Sequence, residues 1–212
     1  LTVPRDWVSW HEDYDSSTPL ARRLAIVQDR VEAALVERGD AQIRVLSLCS
    51  GEGRDLIGPL SKRAPATNVN GRLVELDPTL AGRARAGLAA AGIGGLEVFE
   101  GDAGTTASFA GAVPADLVLV CGVFGNISDE DIERTVRALP TLCAVGATVI
   151  WTRHRRPPDL TPAIRRWFTA SGFRHHAFIR VPDSPASVGV ERFVGTPAPF
   201  EPGARLFDVL DA

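Results

Sequence analysis

The sequence predicts an α/β protein: a doubly wound, mostly parallel sheet with helices on both faces, closed by an antiparallel hairpin. Three observations predict it. Short apolar runs alternate with helical segments along most of the chain. The first of those runs feeds a glycine turn that opens a helix. The last two runs, 174–181 and 188–194, follow one another across a Pro-containing loop, as the strands of a hairpin do.

The elements can be justified in order. Residues 1–40 read as an N-terminal helical cap on a core spanning 41–212, within one domain. Thr18 is an N-cap, Pro19 suits the first helical position, and Leu20, Leu24, Val27, Val31 and Leu35 form an apolar stripe that Gly39 ends. The first strand is 44–48, followed by the glycine turn and a short helix limited by Pro59. A second strand, 72–76, leads into an Ala-rich helix over 79–91, and a third strand is 96–100. Residues 116–121 form the most apolar strand. Ser128 then caps a helix that presents Ile132, Val136 and Leu139 on one face. The fifth strand is 147–152, and Thr161 and Pro162 start a helix that Gly172 stops.

Composition excludes several classes of protein. Hydrophobic residues make up 45% of the 212 and charged residues 23%, so the chain can bury a core. A net charge of −3 gives no basic face for a nucleic-acid partner. Uncharged runs such as 138–152 contain Pro140 and Gly146 and fall short of the ~18 apolar residues of a membrane span, so no membrane partner is expected. The first residues show no signal-peptide pattern. Cys49, Cys121 and Cys143 give neither a disulfide framework nor a metal signature, which points to a reducing, cytoplasmic setting with no metal site.

The chemistry concentrates at strand ends. The run Val45-Leu46-Ser47-Leu48-Cys49-Ser50-Gly51-Glu52-Gly53-Arg54-Asp55 is a strand, a turn and a helix start, and its glycines let a ligand approach the backbone. Leu56 stands where a dinucleotide fingerprint wants Gly or Ala, which disfavours a pyrophosphate site. Asp77, after the second strand, can accept both hydroxyls of a ribose. Asp102, after the third, can accept from an exocyclic adenine amine. Together they suggest a nucleoside ligand that needs no phosphate.

On these residues, and on the apolar strand ending Val120-Cys121-Gly122-Val123-Phe124-Gly125-Asn126, the chain resembles a class I S-adenosylmethionine-dependent methyltransferase over about 40–195. The resemblance implies a seven-stranded Rossmann-like sheet and S-adenosylmethionine as cofactor. It implies that Ser50, Gly51, Glu52, Gly53 and Asp55 hold the methionine part, Asp77 and Pro78 the ribose, and Asp102 and Ala103 the adenine. Cys121, Gly122 and Phe124 would line the methyl-transfer site. The chain departs from the family in having Ser47 where an acid is usual and Cys49 where a glycine is usual. It also reads Gly125-Asn126-Ile127-Ser128 where amino-methylating nucleic-acid enzymes carry Asn/Asp-Pro-Pro-Tyr/Phe. The expected acceptor is a small-molecule hydroxyl or amine.

Methyl transfer can run on orientation alone, and a hydroxyl acceptor would gain from a general base. Candidates are His154, just past the fifth strand, and His11 or Tyr14 in the cap. Residues 7–15, with Trp7 and Trp10, are expected to form a lid. Two alternatives stand beside this reading: an NAD-dependent oxidoreductase, and a non-catalytic S-adenosylmethionine-binding regulatory protein.

Overall fold

The structure is a computed structural model that describes residues 18–63 and 68–210. Seven strands form one sheet in the order β3-β2-β1-β4-β5-β7-β6. They are β1 (Ile43–Leu48), β2 (Val69–Glu75), β3 (Leu96–Glu100), β4 (Ala115–Val120), β5 (Cys143–His154), β6 (Phe173–Arg180) and β7 (Ala186–Phe193). β1 to β5 pair in parallel, and β7 lies antiparallel between β5 and β6.

The strands alternate faces with a period of two, and each face is covered by helices. On β4, Leu117 and Leu119 join one apolar cluster, while Val118 and Val120 join the other. The first cluster is closed by α1 (Pro19–Arg38), α2 (Arg54–Ser61) and α3 (Pro78–Ala90). The second is closed by α4 (Asp129–Ala138) and α5 (Thr161–Ala170), around a fully buried Trp151 stacked on Phe168.

Helix starts follow local chemistry. The Thr18 hydroxyl accepts from Ala21 N–H at 3.1 Å, with Pro19 next in the chain. The Ser128 hydroxyl accepts from Asp131 N–H, and Asp129, Glu130 and Asp131 place negative charge in the first turn of α4.

Two of the differences from the sequence expectation bear on the site. β2 ends at Glu75, so Leu76 is outside the strand and Asp77 is the N-cap of α3. β5 is longer than 147–152 because its extensions find partners: Cys143 pairs with Ala115, and Arg153 and His154 pair with Ser187 and Ala186. No helix among the described residues is long and apolar enough to cross a membrane.

Candidate functional site

Three strand ends are stitched together around one carboxylate. Cys49, Gly51 and Gly53 all take positive φ (48°, 55° and 72°), which folds the chain sharply from β1 into α2. That turn brings Gly51 N–H to 2.7 Å from Oε2 of Glu75, the last residue of β2. Oε1 of the same carboxylate accepts from Asp77 N–H at 2.9 Å. The backbone ties the ends further, since Ser50 N–H donates to Val74 O and Gly101 N–H donates to Glu75 O. Glu75 is 8% exposed, and its burial pushes the carboxyl above the usual range, against the pull of its backbone donors.

A cavity of about 440 Å³ opens on these ends and on that of β4. It lies where the strand order reverses, because β1 sits between β2 and β4 and the chain crosses from β3 to reach β4. Open α/β sheets place their ligands at such a point. From the other side, Gly122 N–H donates to Thr152 Oγ1 at 2.8 Å, and Asn126 Nδ2 donates to Gly122 O, which fixes the loop after β4.

The structure brings most of the predicted residues to this cavity. Ser50, Gly51, Asp55, Asp77, Pro78, Asp102, Ala103, Cys121 and Gly122 all line it. Asp55 meets the cavity on one side and protein on the others, so burial pushes its carboxyl up while Arg23 and the Cys121 thiol pull it down. Burial likewise pushes the Cys121 thiol well up, and Asp55 adds to the rise. Neither cavity thiol is an activated nucleophile, because Cys49 is pushed up to about 12.

Other expectations are corrected. Asp77 reaches the cavity wall, but its Oδ1 caps α3, accepting from Thr79 and Leu80 N–H at 2.8 and 3.0 Å. Glu52 is drawn away from the cavity into ion pairs with Arg54 and Arg83. Gly53 is not on the cavity wall either. A Cβ there would meet Leu73 Cδ2 at 2.8 Å, so packing and φ require the glycine. Phe124 is fully buried in the core, 6.0 Å from Trp151 between ring centroids, and Val123 lines the cavity instead. His154 does not line the cavity and pairs with Ala186 at the end of the β5–β7 ladder. Burial and the neighbouring Arg153 and Arg156 hold its imidazole pKa below the ordinary value. His11, Tyr14 and the rest of the expected 7–15 lid lie outside the described residues.

Sequence reasoning missed five contributors. Glu75 was masked by its apolar neighbours Val74 and Leu76, although an acid closing a buried strand is itself a signal. Leu76 is 68% exposed and lines the cavity. Arg23 reaches the site from α1, and Phe207 and Val209 reach it from the segment after β7.

The strand order, with β7 alone reversed, and the cavity over the β1–β4 switch define the class I methyltransferase fold. Solved structures with the same fold agree. Magnesium protoporphyrin IX methyltransferase from Synechocystis, with bound S-adenosylmethionine, is 14% identical with a TM-score of 0.68, over 88% of this chain and 90% of that one. An O-methyltransferase family protein from Burkholderia thailandensis is 18% identical with a TM-score of 0.64. The match covers 82% of this chain and 57% of that one, so this chain spans little more than half its length. Fibrillarin from Aeropyrum pernix, with natively bound S-adenosylmethionine, is 14% identical with a TM-score of 0.57, over 75% and 73% of the two chains. No family model and no curated protein matches the sequence.

The residues present fit such a cofactor. The Glu75 carboxylate is held at the cavity wall by backbone N–H groups that include those of Gly51 and Asp77, and a carboxylate's four or so acceptor sites leave capacity for ribose hydroxyls. Ser50 Oγ is buried at the same wall without a partner among the described residues. The exposed Leu76 offers an apolar surface to a flat ring.

Proposed function

We propose that this chain is a single-domain, S-adenosylmethionine-dependent methyltransferase acting on a small-molecule hydroxyl or amine. The observation that carries the reading is the buried Glu75 carboxylate, tied to the Gly51 turn and facing the switch-point cavity that Asp102 also lines. Glu75 takes the ribose hydroxyls, the role first given to Asp77. Asp102 takes the adenine amine. Asp55, with Arg23 beside it, takes the charged methionine end, where Ser47 supplies no carboxylate.

When bound, the cofactor supplies a methyl group on a sulfonium, which an acceptor lone pair can take by in-line displacement. The chain's part is then positioning. Cys121, Gly122 and Val123 shape the wall where β4 ends, and the Asn126 amide locks that loop through Gly122 O. Orientation alone can supply much of the rate of such a transfer. Cys49, Cys121 and Cys143 are free thiols, which supports a reducing, cytoplasmic setting.

Calorimetry with S-adenosylmethionine, S-adenosylhomocysteine and NAD tests the reading. Binding of the adenosyl compounds, followed by transfer of labelled methyl to an acceptor from a small-molecule panel, supports it. Binding of NAD alone overturns it, and tight cofactor binding with no transfer favours the regulatory alternative.

A further inference from the structure

The segment after β7 returns across the sheet to the cavity. Ala204 O accepts from Thr106 N–H at 3.0 Å, and Gly104 O accepts from Leu206 N–H at 2.8 Å. Further along, Asp131 Oδ2 accepts from Asp208 N–H at 3.1 Å, and Asn126 O accepts from Leu210 N–H at 2.8 Å. Residues 204–210 therefore form a strap joining the loop after β3 to the loop after β4. It lies directly on the first of these: a Cβ on Gly104 would sit 2.3 Å from Phe207 O.

The strap divides its side chains in a way that packing alone does not explain. Leu206 and Phe207 are each 1% exposed and belong to the core cluster with Phe109 and Ile132. Phe207 also lines the cavity, and so does Val209, which is 47% exposed. An apolar side chain kept half open beside a cavity is placed to meet a ligand. Arg205 pairs with Asp102 Oδ2 at 2.5 Å and with Asp208, while Asp102 Oδ1 accepts from Gly104 N–H at 2.7 Å. A carboxylate has about four acceptor sites, so Asp102 is fixed on two contacts and still able to accept. Set against a guanidinium and a backbone N–H, the carboxylate presents acceptors to the cavity and no donor. It would welcome an amine at the ring's rim and repel a carbonyl.

We infer that the strap is a built part of the cofactor site: Phe207 and Val209 form an apolar wall for the purine, and Arg205 is a positioning residue that makes Asp102 selective for a 6-amino over a 6-oxo ring. The inference rests on the proposed methyltransferase reading.

The test is calorimetry on the full chain with S-adenosylhomocysteine and its 6-oxo analogue, S-inosylhomocysteine, with melting and circular dichroism as fold controls. Wild type is expected to prefer the amino compound by roughly tenfold or more, the worth of one hydrogen bond to a charged group. Arg205→Ala should erase most of that ratio, and Arg205→Lys should restore much of it. Val209→Asp, at a half-exposed position, should keep the fold and weaken both ligands by roughly tenfold. If wild type binds S-adenosylhomocysteine and the folded variants keep its affinity and its ratio, the strap's role is overturned while the methyltransferase reading stands. Equal affinity of wild type for the two compounds overturns the part given to Arg205. Failure of wild type to bind S-adenosylhomocysteine overturns the methyltransferase reading and the inference together.

Discussion

Glu75 and Asp77 lie two residues apart, both line the cavity, and should fail in opposite ways when changed. Glu75→Gln leaves one acceptor oxygen for backbone donors that include the N–H groups of Gly51 and Asp77. The lost charge-assisted bond costs on the order of 1.5–3 kcal/mol. Against it stands the relief of a buried charge, since burial already disfavours the ionised carboxyl. The two effects offset, so melting should change little. Ligand binding has no such compensation, and affinity for S-adenosylhomocysteine should fall about 10–100-fold. Asp77→Ala removes the α3 cap, which accepts from Thr79 and Leu80 N–H. That loss costs about 0.5–2 kcal/mol, or roughly 1–8 °C of melting temperature for a chain this size. Affinity should stay within a few-fold. Scanning fluorimetry and calorimetry on both variants read the two axes separately. If Asp77→Ala loses affinity with its melting intact while Glu75→Gln binds like wild type, Asp77 is the ribose acid and the reasoning from burial is wrong.

The remaining predictions concern stability and the excluded residues. Gly53→Val should melt well below wild type, because φ is 72° and the new Cβ would sit 2.8 Å from Leu73 Cδ2. The left-handed conformation alone costs ~1–2 kcal/mol, and a wild-type melting curve would show that the turn relaxes freely. Asp55→Asn should reveal a pH signature. Burial raises the Asp55 carboxyl above its ordinary 3.8, so its contribution is full below that pH and is lost as pH rises through the folded value. The variant should therefore match wild type near pH 3 and melt above it at neutral pH, and a gap independent of pH would contradict the assignment. His154→Ala should bind S-adenosylhomocysteine as wild type does, since the residue is absent from the cavity wall. A marked loss of affinity in a folded His154→Ala protein would place the imidazole in the site.

What the sequence revealed and what it hid have a common physical basis. β3 occupies 96–100 as expected, and β1 and β4 lie within one residue of expectation, because buried alternation is a local pattern. The turn after β1 was legible for the same reason, since glycines declare a left-handed backbone in their own short stretch. Glu75 was not, because its burial is produced by a donor on another strand end, Gly51 N–H, and not by its neighbours in sequence. Leu76 prolonged the apolar pattern past the true end of β2 and lent Asp77 the appearance of the strand-tip acid, whereas Asp77 belongs to the helix it caps. The strap was hidden more deeply. Its partners Thr106 and Asn126 lie far away in sequence, and no periodicity announces a segment held by loops on both sides. The site is thus assembled from places where local rules fail: a non-glycine at φ 48° in Cys49, a buried acid in Glu75, an open valine in Val209. Such violations persist when the surrounding structure holds them, and here the holding contacts all converge on the same cavity.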